Sequence, residues 1–315
     1  MSIDITVLGE IKVRAGEVKV QLGDRRQRLC LAILAHDLHV VEYSRLMRCL
    51  WHENELPVDP QDQIQGYVRG LRTALRATTP GGDKLIRTVR GVGYELTVAP
   101  EQVDRHRFAR LKAQAEACED KDPGTAARLA ERALTQWRHA TGLRGGNPLA
   151  DSRLEAITSS LQQEHRSVTL LRIRAALRCG RHRQLLPDLA RLSTDEYGAE
   201  DADLTGLHML ALVRAGRSHD ALAVYERHQT AIDELLYGSK PTRELQVLKE
   251  KIMRGDESLT PDDKDYADYG RDEPVEPPTT RPAPGGVSFS NHQTGEHAKS
   301  FQAYEMNVHG EFEDE

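Results

Sequence analysis

Long apolar runs are missing from this sequence. Nowhere do about 18 hydrophobic residues follow one another, which argues against a membrane-spanning helix. The N-terminus, Met1-Ser2-Ile3-Asp4, lacks the basic-then-apolar order of an export signal, so a cytoplasmic protein is expected. Cysteine is scarce: four residues (Cys30, Cys49, Cys118, Cys179) lie far apart with no C-x-x-C pair, the pattern of buried thiols in a reducing compartment. The phosphate-loop, H-E-x-x-H and G-x-S-x-G motifs are absent, and Gly91-Val92-Gly93 reads as a turn, so neither an enzyme nor a cofactor is predicted. The 13 histidines are scattered; His36 and His39 fall across a helix end, and surface positions rather than metal ligands are expected.

Hydrophobic content is low, 38% against 29% charged, with a mean hydropathy of -0.59, which predicts that part of the chain never packs. That part is the end. From Asp256 to Glu315 there are 15 acidic and 4 basic side chains, a balance of -11, so the rest of the chain carries +5 beneath the overall -6. A disordered acidic tail over 256–315 is expected, and the acidic whole is no argument against nucleic acid as a partner.

What is present begins with alternation. ITVLGEIKVRAGEVKVQLG reads as three short antiparallel strands. Helical spacing takes over at Asp24, placed to cap a first helix to His36; a second runs from Glu42 to Trp51. In a third, QDQIQGYVRGLRTALRA, Ile64, Val68, Leu71 and Leu75 make one apolar stripe, while Asp62, Gln65, Arg69, Arg72 and Arg76 share another face. KLIRTV and YELTV flank Arg90-Gly91-Val92-Gly93 as a hairpin. Strands, three helices and a hairpin are the order of a winged helix, whose third helix can enter the major groove of DNA.

From Val103 to Arg254 the pattern is helical, and LRCGRHRQLLPDLARL is partly repeated in LVRAGRSHDALAVYERH, with Gly180 and Gly216 a period of 36 apart. Stacked helix pairs of tetratricopeptide type have a period of about 34. The predicted fold is therefore an α+β winged helix followed by an all-α tetratricopeptide-like domain and a disordered acidic tail, with boundaries at 1–99, 100–255 and 256–315.

Two sets of residues carry a resemblance. Leu50-Trp51, Gln65-Gly66-Tyr67-Val68, Leu71-Arg72 and Thr88 to Tyr94 resemble the OmpR-type winged helix. With Val103-Asp104, Phe108, Trp137-Arg138, Pro148-Leu149-Ala150-Asp151, Arg153-Leu154-Glu155 and Gly216-Arg217 added, the chain resembles the Streptomyces antibiotic regulatory protein family, whose second half is the bacterial transcriptional activation domain. It departs from that family at Arg69-Gly70, where Ser-Arg is usual, which moves a basic side chain by about 100° round the helix.

Gln and Arg are shaped for bidentate contact with base edges, so base or phosphate contact is expected from at least two of Gln65, Arg69 and Arg72, with Arg87 and Arg90 at phosphate or the minor groove. Asp62 is expected as a helix N-terminal acid. The loop from His52 to Pro60 is acidic through Glu53, Glu55 and Asp59 and longer than a helix-turn-helix needs; the resemblance implies that it touches RNA polymerase. The resemblance further implies an activator of a secondary-metabolite gene cluster that binds direct repeats in double-stranded promoter DNA as a homodimer or tandem pair and recruits RNA polymerase holoenzyme. A repressor on the same fold, or a helical-repeat adaptor for protein contacts, are the alternatives.

Overall fold

In the first strand Ile3 and Ile5 turn inward while Asp4 is only partly buried, and this period of two gives a small sheet one face in the core. The computed structural model describes residues 3–137, 154–195, 198–236 and 239–260, all within one unit spanning Met1–Arg271. The motif Pro148 to Asp151, Arg153, the pair Tyr237-Gly238 and the tail from residue 261 lie outside the described residues. Strands β1 (Ile3–Thr6), β2 (Lys12–Ala15) and β3 (Val18–Lys19) pair antiparallel in that order, Ile5 opposite Val13. Helix α1 (Arg25–Asp37) is capped by Asp24, whose carboxylate accepts from the Gln27 N–H at 2.8 Å, and buries Leu29 through Ala35.

A second sheet is ordered β4 (Val41–Glu42), β6 (Gly93–Leu96), β5 (Ile86–Val89), all antiparallel. Between β4 and β5 run α2 (Tyr43–Leu50), a 3-10 turn at Glu53–Glu55 and α3 (Pro60–Thr78). The sequence pattern starts the second helix at Glu42. In the structure Glu42 is instead opposite Gly93 in a two-residue strand, too short to show an alternation.

The helical part consists of α4 (Asp104–Cys118), α5 (Pro123–Leu134), α6 (Glu155–Arg178), α7 (His182–Leu192), α8 (Ala202–Arg214), α9 (Ser218–Leu236) and α10 (Arg243–Arg254). The repeat has a backbone signature. Gly180 and Gly216, at φ +73° and +76°, end α6 and α8, and in each case the next N–H reaches back into the last turn: Arg181 to the Ala176 carbonyl at 3.0 Å, Arg217 to that of Leu212 at 2.8 Å. This left-handed closure suits glycine, and it turns the chain back onto the helix just ended.

One core cluster runs from Ile3 to Ala175, taking in both sheets, α1 to α5 and part of α6. Phe108, fully buried, and Trp137, edge-on to it at 5.7 Å, fill its helical side. Asp104 ties the halves together: its buried carboxylate accepts from the Val7 N–H at 2.9 Å, Leu8 at 3.1 Å and Arg105 at 2.7 Å. Burial pushes its pKa up to about 6, outweighing the three donors that favour the anion. Two smaller clusters follow, one of α6, α7 and α8, one of α8, α9 and α10. Residues 256–260, assigned to the tail on composition, form a 3-10 turn at Glu257–Leu259; Leu259 is buried and its carbonyl accepts from Arg214 Nε at 3.1 Å.

Not all histidines are at the surface, as expected from their scatter: His165, His208 and His228 are buried. Each has a polar neighbour for its ring: Nδ1 lies 3.5 Å from Thr169 Oγ1, 2.9 Å from Ser193 Oγ and 2.9 Å from the Ala199 carbonyl, respectively. The four cysteines are free thiols, and burial pushes that of Cys30 up to about 12, which leaves it unreactive. Among the described residues no helix is long and apolar enough to cross a membrane.

Candidate nucleic-acid interface

Helix α3 is held by its apolar stripe. Ile64, Val68, Leu71 and Leu75 are each no more than 1% exposed, and side chains of this size stabilise by about 1.5 to 3 kcal/mol apiece on burial. That fixes the rotation of the helix, so the opposite face must meet solvent. Asp62, Gln65, Arg69 and Arg76 do so. Asp59 begins the helix, its carboxylate accepting from the Asp62 N–H at 2.9 Å, and Pro60 takes the first helical position, where no backbone donor is needed.

Arg72 behaves differently from the other members of its face. Its Nε and Nη2 donate to the Ile86 carbonyl at 3.0 and 2.7 Å, Nη2 also reaches Thr88 Oγ1 at 2.8 Å, and the guanidinium lies 5.9 Å from the Tyr94 ring centroid. The fork joins α3 to strand β5. Tyr94 in turn meets Tyr43 edge-on at 5.4 Å, and the Tyr43 N–H donates to the Val92 carbonyl at 3.0 Å. The hairpin is thus fixed to both α2 and α3. Of its two arginines, Arg90 is exposed beside Gly91 and the half-exposed Val92, whereas Arg87 pairs across the strands with Glu95, its Nε 2.8 Å from the carboxylate.

The loop between α2 and α3 carries more structure than its acidity indicates. Asp59 is the α3 cap, and Glu55 pairs with Arg26 at 3.6 Å, so both carboxylates have partners inside the molecule. Arg26 also lies 5.9 Å from the Trp51 ring, which stacks on Tyr67 at 6.1 Å. Past this clamp, Leu56 and Val58 are exposed. Reading the loop for charge passed them over, although the run Leu56-Pro57-Val58 stands in the sequence as an apolar triplet between acids.

Gln27 was also missed. Its amide lies against Gly70 of α3, where a Cβ would come within 2.7 Å of Nε2. A side chain here would have to displace that flexible amide.

The match to known proteins follows the same division. Residues 16–96 match the family described as transcriptional regulatory protein, C terminal, and residues 103–253 match the bacterial transcriptional activator domain. A winged helix with an exposed third helix, joined to a transcriptional activator domain, defines a DNA-binding transcription regulator of OmpR type. Regulatory protein DnrI of Streptomyces peucetius is 30% identical over 269 residues, which cover 82% of this chain and 94% of that protein. Transcriptional regulator RedD of Streptomyces coelicolor is 27% identical over 82% of this chain and 72% of its own length. The chain belongs to the Streptomyces antibiotic regulatory protein family. The fold is also that of Mycobacterium tuberculosis EmbR, solved in complex with a low affinity phosphopeptide: TM-score 0.71, 24% identity, 85% of this chain and 68% of that one.

Proposed function

We propose that the protein activates a secondary-metabolite gene cluster, placing α3 in the major groove of promoter direct repeats, where Gln65 and Arg69 read base edges. The observation that carries this reading is the rotation of α3: four buried side chains on one face leave Gln65 and Arg69 exposed on the other. Arg90, exposed at the hairpin turn, takes phosphate or the adjacent minor groove. Arg87 joins it only when Glu95 releases it. Arg72 acts as a positioning residue, since three of its donor contacts already go to β5, and it sets the distance between helix and hairpin. Direct repeats call for two copies, as a homodimer or a tandem pair.

The loop 52–60 meets RNA polymerase holoenzyme through Glu53 and Glu55, with Leu56 and Val58 as an apolar contact beside them. Asp59 supports that surface by capping α3. The match of residues 103–253 to the bacterial transcriptional activator domain favours activation over repression.

Promoter binding by Arg69→Ala and Arg72→Ala variants at matched salt tests the assignment. Arg69→Ala is expected to cost about 1 to 3 kcal/mol and to relax preference at one base position. Arg72→Ala is expected to weaken binding to all sequences alike and to lower thermal stability. Parent-like binding by Arg69→Ala overturns the recognition face. For the loop, Leu56→Ser with Val58→Ser should bind DNA normally and lose stimulation of purified polymerase; unchanged stimulation removes the loop from the mechanism.

A further inference from the structure

Helices α7, α8 and α9 line an open pocket of about 190 Å³, room for about six waters, away from every residue assigned to DNA or polymerase. Its walls combine apolar side chains, Leu186 and Leu212 among them, with His208, Arg217, Asp220 and Arg227. The charges do not cancel. Arg217 is neutralised by Asp220 at 2.6 Å, whereas no carboxylate of the described residues pairs with Arg227. The imidazole of His208 is only 4% exposed, with Nδ1 2.9 Å from Ser193 Oγ. If the serine hydroxyl donates to Nδ1, the remaining ring nitrogen, Nε2, carries the proton and is a donor. Burial, then the charges of Arg227 and Arg217, lower the His208 pKa to about 4, so the ring is neutral in the working range.

A net positive mouth, a neutral donor in the wall and aliphatic sides match one kind of molecule. We propose that this cavity binds a small organic monocarboxylate, its carboxylate paired with Arg227 and hydrogen-bonded by His208, its short apolar portion between Leu186 and Leu212. An inorganic anion satisfies the charges but leaves the aliphatic walls wet. A neutral ligand forms no ion pair with the exposed Arg227, so it gains nothing from the positive mouth.

The full chain is tested with acetate, butyrate and hexanoate at constant ionic strength in chloride. Butyramide serves as the uncharged isostere and inorganic phosphate as the alternative anion. Binding is read from backbone amide chemical shifts and from the unfolding midpoint. The expected result is saturable shifts centred on Ala223 and Arg227 with butyrate, and a midpoint raised by about 2 °C or more at saturation. Arg227→Gln, an exposed substitution, and Ala223→Leu, which fills the cavity without changing charge, should each abolish the response while folding as the parent does. Equal responses to butyramide and butyrate, a response to phosphate alone, an unaltered butyrate response in both variants, or no response to any carboxylate each overturn the assignment.

Discussion

The two ends of the molecule are stabilised in different ways. From Ile3 to Ala175 a single apolar cluster spans the winged helix and the first helices of the activator domain, with buried Asp104 donating nothing and accepting three backbone N–H groups at the join. From Leu170 on, the far side of α6 and the later helices share two smaller clusters, each made with neighbours in the stack. The first end resembles one folding unit whose halves cannot part without exposing core. The second is a nearest-neighbour array, in which a helix pair can be perturbed with local effect. The match boundary between residues 96 and 103 is therefore a boundary of sequence families, and the packing runs through it. Helix α4 holds the DNA-binding half as much as it begins the other.

The largest effect is expected from breaking the join. Asp104→Asn keeps the volume but turns an amide donor toward backbone donors, and leaving one such group unsatisfied in a buried site costs about 3 kcal/mol. Denaturant unfolding should show this loss, and hydrogen exchange should place it in β1, α1 and α4, with α8 to α10 little changed. Loss of protection spread equally over the stack would show that the two ends are one cooperative unit. The pH dependence has a definite sign. Because the folded pKa of about 6 lies above the ordinary carboxylate value, the native state retains a proton that the unfolded chain has released. The stabilisation from this group is complete below about pH 4 and is lost as pH rises through about 6. His208, lowered to about 4, works the other way: its contribution is present above the ordinary imidazole range and is lost as pH falls toward 4. Asp104→Asn should remove the first trend and leave the second.

A smaller effect is expected at the far end. Truncation after Arg254 removes Leu259 from the cluster of α8, α9 and α10 and the acceptor of Arg214 Nε; truncation after Thr260 retains both. The shorter chain should be less stable by about 2 kcal/mol, the burial of one leucine, with the loss confined to α8 and α10. Equal unfolding midpoints would show that the turn at Glu257–Leu259 contributes nothing. The comparison also separates this packing from any electrostatic role of the acidic tail, since both truncations remove nearly all of its charge.

How much of this was legible in the sequence depended on the range of the interaction. The α3 stripe was, because Ile64, Val68, Leu71 and Leu75 repeat within one helix and burial follows from their spacing. So were Asp24 as a cap and the glycines that end α6 and α8, all set by residues a few positions away. Asp104 was not, since its partners Val7 and Leu8 stand almost a hundred positions earlier and nothing local marks a carboxylate for burial. Arg72 falls between. Its helix face was legible, but its partner depends on how the hairpin docks, 14 residues on. Asp59 was read for charge, although aspartate before proline with Asp62 three positions later also spells a helix start.

The smallest effect, and the finest test of what sets the reading face, is at Gly70. An added Cβ meets only the amide end of Gln27, a flexible group that can swing aside, and alanine is favoured over glycine within a helix by about 1 kcal/mol. The stability of Gly70→Ala should therefore lie within about 0.5 kcal/mol of the parent, the two effects offsetting. DNA recognition is a different matter. Gln27 sits at the start of α1, next to Arg26, which clamps Trp51 and Glu55, so displacing its amide shifts the ground beneath the polymerase-facing loop and beside Arg69 together. Gly70→Ala is expected to keep the unfolding midpoint and to change promoter affinity by a factor of about 3 to 10, about 1 kcal/mol, whereas Gln27→Ala with Gly70→Ala, which removes the clash, should return toward the parent affinity. If the double variant binds no better than Gly70→Ala alone, the contact between α1 and α3 does not tune recognition, and the glycine there is a matter of packing only.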